Sequence, residues 1–444
     1  MRDPYPMKAL PRFTALCIAL LLAACAAAPL APPAPRAAAP ATIAPAASAA
    51  TPTAARIPVI LVSIDGFRPD YLTRGVSPTL NALAADGVRA IGMQASFPTL
   101  TFPNHYTLVT GLYPDHHGIV ANSMNDPALG HFTLGDRAAV ADARWWNAAT
   151  PVWVSVERAG LHSATMFWPG SEAAIQGVRP DHWRPYDGRV TPDQRVDTVL
   201  HWLDLPPPQR PVFITLYFDQ VDHAAHEHGP RSPEVDAAIA EVDAALTRLT
   251  AGLRQRGLLD RVNRVIVSDH GFTSTSPKRL VVLDRLLPAA DITVVSSGAV
   301  AGIDPRPGHV RAAERALLGR HAHMRCWRRS ALPARLHYGT HPRVPAIVCL
   351  AQDRWMIVTR AGLASRHGKV MLGDHGYDNA DADMHALFIA NGPAFRAGVV
   401  LPVFPNVDVY PLLMHLLGLP PQPNDGTLAP LRPALRSTAG PATP

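Results

Sequence analysis

Six aspartate and histidine residues and one threonine have the types and spacing to do chemistry together: Asp65, Asp222, His226, Asp269, His270, His375 and Thr101. Asp222 and His226 lie four apart, so one helical turn would aim both side chains at the same spot. Asp269-His270 is an adjacent pair followed by Gly271, and His375 sits in Gly373-Asp374-His375-Gly376, where flanking glycines permit close backbone approach. Any single Asp-His pairing is usually an ordinary surface or core pair, so the signal lies in their joint occurrence. Carboxylate and neutral imidazole together suit zinc, and paired metal centres are a common arrangement for in-line phosphoryl transfer. Thr101, in Phe97-Pro98-Thr99-Leu100-Thr101-Phe102-Pro103-Asn104-His105-Tyr106, would then act as a metal-activated nucleophile. Its hydroxyl is otherwise far too weak an acid to ionise at neutral pH.

Such residues converge only if the backbone brings them to one place. Ile57 to Ile64 is a continuous apolar run ending in Asp65-Gly66, the pattern of a strand buried on both faces. Asp222 lies just beyond the run Val212 to Phe218, and Asp269 follows Val262 to Ser268. In an open parallel sheet the carboxyl ends of the strands share one edge, and ligands bind in the crevice there. The three carboxylates are therefore expected to meet. Further strand and helix patterns fall at 164–168, 292–295 and 346–350, and at 77–87, 151–158, 233–256 and 408–417. The clearest helix, Pro233 to Arg256, carries the apolar stripe Val235, Ile239, Val242, Leu246, Leu249 and Leu253 and stops at Gly257. Asn104 to Thr110 reads as the start of another helix, which leaves Thr101 in a Pro-flanked turn. Strands alternating with helices predict an α/β fold, with a mostly parallel central sheet and helices on both faces. The irregular stretch from about 280 to 370 reads as a small subdomain packed onto it.

The bulk numbers agree with a packed enzyme-sized chain. Its 444 residues are 48% hydrophobic and 17% charged, with a formal net charge of +6. No dense Lys/Arg run with interleaved aromatics is present, so nucleic acid is not expected as a stable partner. Lys8 and Arg12 precede the apolar run Ala15 to Ala24, and Leu22-Ala23-Ala24-Cys25 resembles the bacterial lipobox. Residues 1–24 are thus expected to be a signal peptide, with Cys25 as a lipid-anchor candidate. Ordinary cleavage at an Ala-x-Ala site is the alternative. Either route exports the protein, to the periplasm or as a membrane-anchored lipoprotein of a Gram-negative-type bacterium. Residues 25–56, nearly all Ala, Pro and Thr, form a tether, the catalytic domain spans 57–426, and 427–444 reads as a loose tail. Cys326 and Cys349 remain as a candidate disulfide in an oxidising compartment. Oligomeric state is not legible.

In order along the chain, Asp65-Gly66, Thr101-Phe102-Pro103-Asn104-His105-Tyr106, Gly111-Leu112-Tyr113-Pro114, His117-Gly118-Ile119, Asp222 with His226, Ser268-Asp269-His270-Gly271 and Gly373-Asp374-His375-Gly376-Tyr377 resemble the nucleotide pyrophosphatase/phosphodiesterase family of the alkaline phosphatase superfamily. The resemblance runs from about Ile57 to Gly426. It implies an alkaline phosphatase-like three-layer fold and two zinc ions, one on Asp222, His226 and His375, the other on Asp65, Thr101, Asp269 and His270. It implies Asn122 as a donor to a phosphate oxygen, Phe102 at the pocket entrance and Tyr186 as a stacking partner for a nucleobase. The implied reaction is hydrolysis of nucleotide phosphodiester and pyrophosphate bonds through a nucleotidyl-threonine, releasing nucleoside 5'-monophosphates. The alternatives are lysophospholipid or choline phosphoesters, phosphomonoesters, or a non-catalytic binding lipoprotein. Asn122 in place of a cationic clamp favours diesters over monoesters, whose extra charge would favour arginine. His116, His117, His223 and His228 are expected to be solvated or supporting, and Asp219 lies close enough to Asp222 to compete as a ligand, but only Asp222 has His226 at helical spacing. Asn104 and His105 are expected to organise the turn around Thr101.

Overall fold

The computed structural model describes residues 56–437. The expected leader, Cys25, all but the last residue of the tether, and residues 438–444 lie outside them. Val59–Ile64 is a strand in which every residue is buried. Phe213–Phe218 and Asn263–Val267 flank it in parallel, with Val62 opposite both Leu216 and Ile266. The full sheet has eight strands, in the order Val399–Leu401, Val88–Ala90, Phe388–Asn391, Asn263–Val267, Val59–Ile64, Phe213–Phe218, Ser163–Met166 and His182–Trp183. Phe388–Asn391 runs antiparallel to both neighbours, and the other ladders are parallel. The predicted sheet is therefore present, with one reversed strand inside it.

Alternation along the central strand builds two cores. Val59 and Leu61 face one layer, containing the helices Thr101–Thr110, Val152–Arg158 and Val409–Leu417. Ile60, Val62 and Ile64 face the other, containing Pro78–Ala85, Pro192–Leu203 and Pro233–Gln255. Each fully buried aliphatic side chain contributes about 1.5–3 kcal/mol, so the three-layer arrangement holds the central strands firmly. The helices of the second layer are also joined by a polar link. Asp243 of the long helix accepts hydrogen bonds from the backbone N–H groups of Thr79 (3.0 Å) and Leu80 (2.8 Å). It thereby satisfies two donors that the start of Pro78–Ala85 leaves without helical partners.

Between the strand Asn263–Val267 and His375 the chain builds the expected subdomain. Its antiparallel sheet has five strands, in the order Ile292–Ser296, Val300–Pro305, Ile347–Ala351, Met324–Arg328 and Gly319–Arg320. Cys326 and Cys349 face each other on adjacent strands and are disulfide-bonded. Tyr377 and Met384, from beyond the subdomain, pack into its core.

Two expectations are corrected. The helix begins at Thr101 itself rather than near Asn104. Pro103 lies in its first turn, where the missing N–H would have no helical partner in any case. The segment 427–437 is packed rather than loose: Ala429–Ala434 forms a 3-10 turn that buries Leu431 and Ala434 in the first core. The prolines there interrupt helix formation without removing the apolar contacts.

Candidate active site

The three adjacent central strands deliver their acidic residues to one edge of the sheet. Asp65 follows Val59–Ile64, Asp269 follows Asn263–Val267, and beyond Phe213–Phe218 the helix Gln220–His228 presents Asp222 and His226. His375 enters from the far end of the subdomain. Gly373 allows this, because a Cβ there would lie 2.5 Å from the carbonyl oxygen of Ala225. Thr101 stands at the first helical position, where the positive end of the helix dipole favours a developing oxyanion.

These side chains form two adjoining groups. In one, His270 Nε2 lies 3.0 Å from Asp269 Oδ2, 3.4 Å from Asp65 Oδ1 and 3.3 Å from Thr101 Oγ1. In the other, Asp222 Oδ1 lies 3.5 Å from His226 Nε2 and 3.7 Å from His375 Nε2. The rings of His270 and His375 stack at 3.5 Å, which joins the groups. All seven residues singled out in the sequence are thus brought together.

The chemistry of this donor set can be tested for fit to metal ions. Each histidine gives its Nδ1 hydrogen to a backbone carbonyl: His226 to Gly373 (3.0 Å), His270 to Gly271 (3.0 Å) and His375 to Thr99 (2.8 Å). Every Nε2 lone pair is then left facing the site, the arrangement second-sphere partners impose on metal-bound imidazole. Asp65 Oδ1, Asp222 Oδ1 and Asp269 Oδ2 are buried without hydrogen-bond partners. Burial, and then repulsion from Asp269 and Asp222, hold the Asp65 carboxyl well above the usual carboxylate range. Burial also raises Asp222. Against its own burial, Asp269 is held well below that range by His270 and His105. Burial, then His270 and His226, push the His375 pKa well below the usual value. Three orphaned carboxylate oxygens and three imidazole lone pairs aimed at one space fit divalent cations, which would remove the repulsion that raises Asp65.

The walls complete the site. Asn122 Oδ1 accepts from the Phe102 N–H at 2.9 Å, which turns its NH2 group away from that helix start and frees it to donate. Phe102 and Tyr186 both line a pocket of about 480 Å³ with Asp65 and Thr101. The Tyr186 hydroxyl donates to Asp219 Oδ2 at 2.6 Å, and Asp219 Oδ1 accepts from Arg195 at 2.7 Å. Asp219 therefore orients an aromatic wall rather than joining either acid-histidine group. His105 is fully buried, with its rings' nitrogens on Ser63 Oγ (2.8 Å) and the Thr101 carbonyl (2.9 Å). Asn104 donates to the carbonyls of Ser96, Pro98 and Leu100. Both organise the start of the helix that carries Thr101, as expected.

Comparison with known proteins settles the kinship of this site. The profile described as Type I phosphodiesterase / nucleotide pyrophosphatase matches residues 59–378. The chain belongs to this family. Human ectonucleotide pyrophosphatase/phosphodiesterase family member 5 is 36% identical over 380 residues, covering 85% of this chain and 78% of the relative. The Xenopus laevis protein named bis(5'-adenosyl)-triphosphatase enpp4 is also 36% identical, covering 85% and 82%. The solved structure of an inactive threonine-to-alanine variant of murine ectonucleotide pyrophosphatase/phosphodiesterase 5, in complex with AMP, matches with a TM-score of 0.81 at 36% identity. It covers 85% of this chain and 100% of that one. As a type I phosphodiesterase/nucleotide pyrophosphatase, the chain is a hydrolase with the alkaline phosphatase-like fold.

Within this phosphodiesterase site, sequence reasoning missed Tyr217, whose hydroxyl donates to Asp65 Oδ2 at 2.7 Å. It also missed Trp168, Glu172 and Arg137 in the pocket wall. The available signal for Tyr217 was a hydroxyl-bearing residue between Leu216 and Phe218, in a strand otherwise apolar save for Thr215.

Proposed function

We propose that the protein hydrolyses nucleotide phosphodiester and pyrophosphate bonds through a covalent nucleotidyl-threonine intermediate, releasing nucleoside 5'-monophosphates. The observation that carries this reading is the placement of Thr101 Oγ1 at a helix start, 3.3 Å from His270 Nε2 and beside the orphaned carboxylates. Two zinc ions, one held by Asp222, His226 and His375 and the other by Asp65, Thr101, Asp269 and His270, would neutralise phosphate charge and lower the pKa of the threonine hydroxyl. Thr101 Oγ attacks phosphorus, its proton passes to solvent, and the P–O bond to the leaving group breaks. Asn122 donates from its free NH2 to a non-bridging phosphate oxygen as charge builds there. Phe102 and Tyr186 hold the base between them, and Tyr217 keeps Asp65 in place. A water then attacks the phosphothreonine ester, the Thr101 Oγ–P bond breaks, and Thr101 takes back a proton. An AMP complex and an inactive threonine-to-alanine variant of a 36% identical relative support both substrate class and nucleophile.

Thr101→Ala is expected to lower kcat/KM for thymidine 5'-(4-nitrophenyl) phosphate by about 10⁴-fold or more, with an unchanged melting temperature. Near wild-type turnover would overturn the nucleophile assignment. The same proposal places the protein outside the cytoplasm, with lipid on Cys25. Mass spectrometry of the mature N-terminus checks this.

A further inference from the structure

The site opens in two directions. Besides the pocket lined by Thr101, Phe102 and Tyr186, a second cavity of about 430 Å³ adjoins it at His226 and His375. The two share Asn122, Leu134, His226 and His375, but Thr101 lines only the first. In-line displacement sets the leaving oxygen opposite the nucleophile. Thr101 lies against Asp65, Asp269 and His270, so the departing oxygen falls to the Asp222, His226 and His375 side. His226 and His375 line the second cavity as well as the first, so what that oxygen carries has an opening into the second cavity on that side.

The cavity walls are largely apolar. Leu100, Val295, Val300, Met356, Val358 and Met371 line it, two of them from strands of the five-stranded sheet, beside the polar Ser123, Ser296 and Ser297. Ser123 Oγ donates to the Val295 carbonyl at 2.9 Å, tying one wall to the main domain. Among the described residues that line it, Arg366 is the one Lys or Arg, exposed at the rim, and the buried Asp374 adds a carboxylate. No Phe, Tyr or Trp lines it, so no stacking platform for a second base is present among those residues.

We propose that this cavity is the leaving-group site and selects nucleotide diesters whose leaving alcohol is uncharged and largely apolar over nucleoside triphosphates. The inference rests on the reading that Thr101 accepts a nucleotidyl group. As the Thr101 Oγ–P bond forms, the P–O bond to the alcohol breaks, and the alcohol takes a proton from solvent as it departs. Beyond the cation that His226 and His375 would hold, a departing pyrophosphate would meet neutral serines, apolar side chains, Asp374 and one rim arginine, which leaves several of its negative charges without a cationic partner. An apolar alcohol gains from the same walls.

The test compares kcat/KM of the metal-loaded full-length protein on thymidine 5'-(4-nitrophenyl) phosphate and thymidine 5'-triphosphate, which place the same thymidylyl group on Thr101. The ester is expected to exceed the triphosphate more than tenfold. Ser297→Arg, which adds a cation at an exposed lining position, is expected to move this ratio at least fivefold toward the triphosphate. Val358→Arg, deeper in the wall, serves as the second variant. A wild-type ratio below ten, or a ratio that moves less than fivefold in every folded variant, overturns the inference while leaving the nucleotide reading standing. Hydrolysis of neither substrate by the wild type overturns that reading and this one with it.

Discussion

Asn122 has no charge to offer a phosphate, and its usefulness depends entirely on which way its amide points. The Phe102 N–H fixes that direction by occupying Oδ1 at 2.9 Å. Tyr186 is held in a similar way, by Asp219 and, behind it, the buried Arg195. Removing the ring and removing its tether should therefore have separable effects. Stacking of a base on an aromatic ring contributes about 1–3 kcal/mol, so Tyr186→Ala is expected to raise KM for the thymidine ester roughly 5- to 150-fold, with kcat changed only slightly. Tyr186→Phe keeps the ring and should raise KM less. Equal effects of the two substitutions in steady-state assays would rule out stacking. At this scale much of the site was readable, because Asp65, Asp222 with His226, Asp269-His270 and His375 each carry a local signature. The Tyr217 hydroxyl was not readable, since its contact with Asp65 depends on the register between two strands that are far apart in sequence.

Elements place these residues through both packing and a few polar links. Asp243 joins the long helix Pro233–Gln255 to the start of Pro78–Ala85 by accepting from two backbone N–H groups. Asp243→Ala leaves both donors without that partner in a buried setting and is expected to cost about 1–3 kcal/mol. Urea unfolding should register the loss as a lower midpoint at unchanged m-value, with turnover per folded molecule retained. A midpoint equal to that of the wild type would count against the link. Strand and helix periodicity placed most elements well. The start of the helix that carries Thr101 was missed because Pro103 was read as a turn former, whereas in the first turn of a helix it gives up no hydrogen bond. The packed segment around Leu431 was missed because proline density hid three leucines spaced for contact.

For the whole molecule, the proposed metal centre is also a point of mechanical cohesion. It joins three strands of the main sheet, one helix start and the exit of the subdomain, and without cations it leaves three buried carboxylate oxygens unpartnered. Ligands that bind only the folded state stabilise it by mass action. Chelation is accordingly expected to abolish diesterase activity and lower the melting temperature by about 5 °C. Zinc should restore both, and magnesium, which prefers all-oxygen ligands, should not. An unchanged melting curve after verified metal removal would show that the carboxylates find other partners.

The path of the chain through the subdomain also bears on the order of synthesis. Asp65, Thr101, Asp222, His226, Asp269 and His270 all precede the five-stranded subdomain sheet in the chain, and His375 follows it. All residues of one group are therefore present in the sequence before the subdomain begins, and the other lacks only its last member. The full site therefore needs nearly the whole chain, because the reversed strand Phe388–Asn391, which pairs with the strand leading to Asp269, comes after His375.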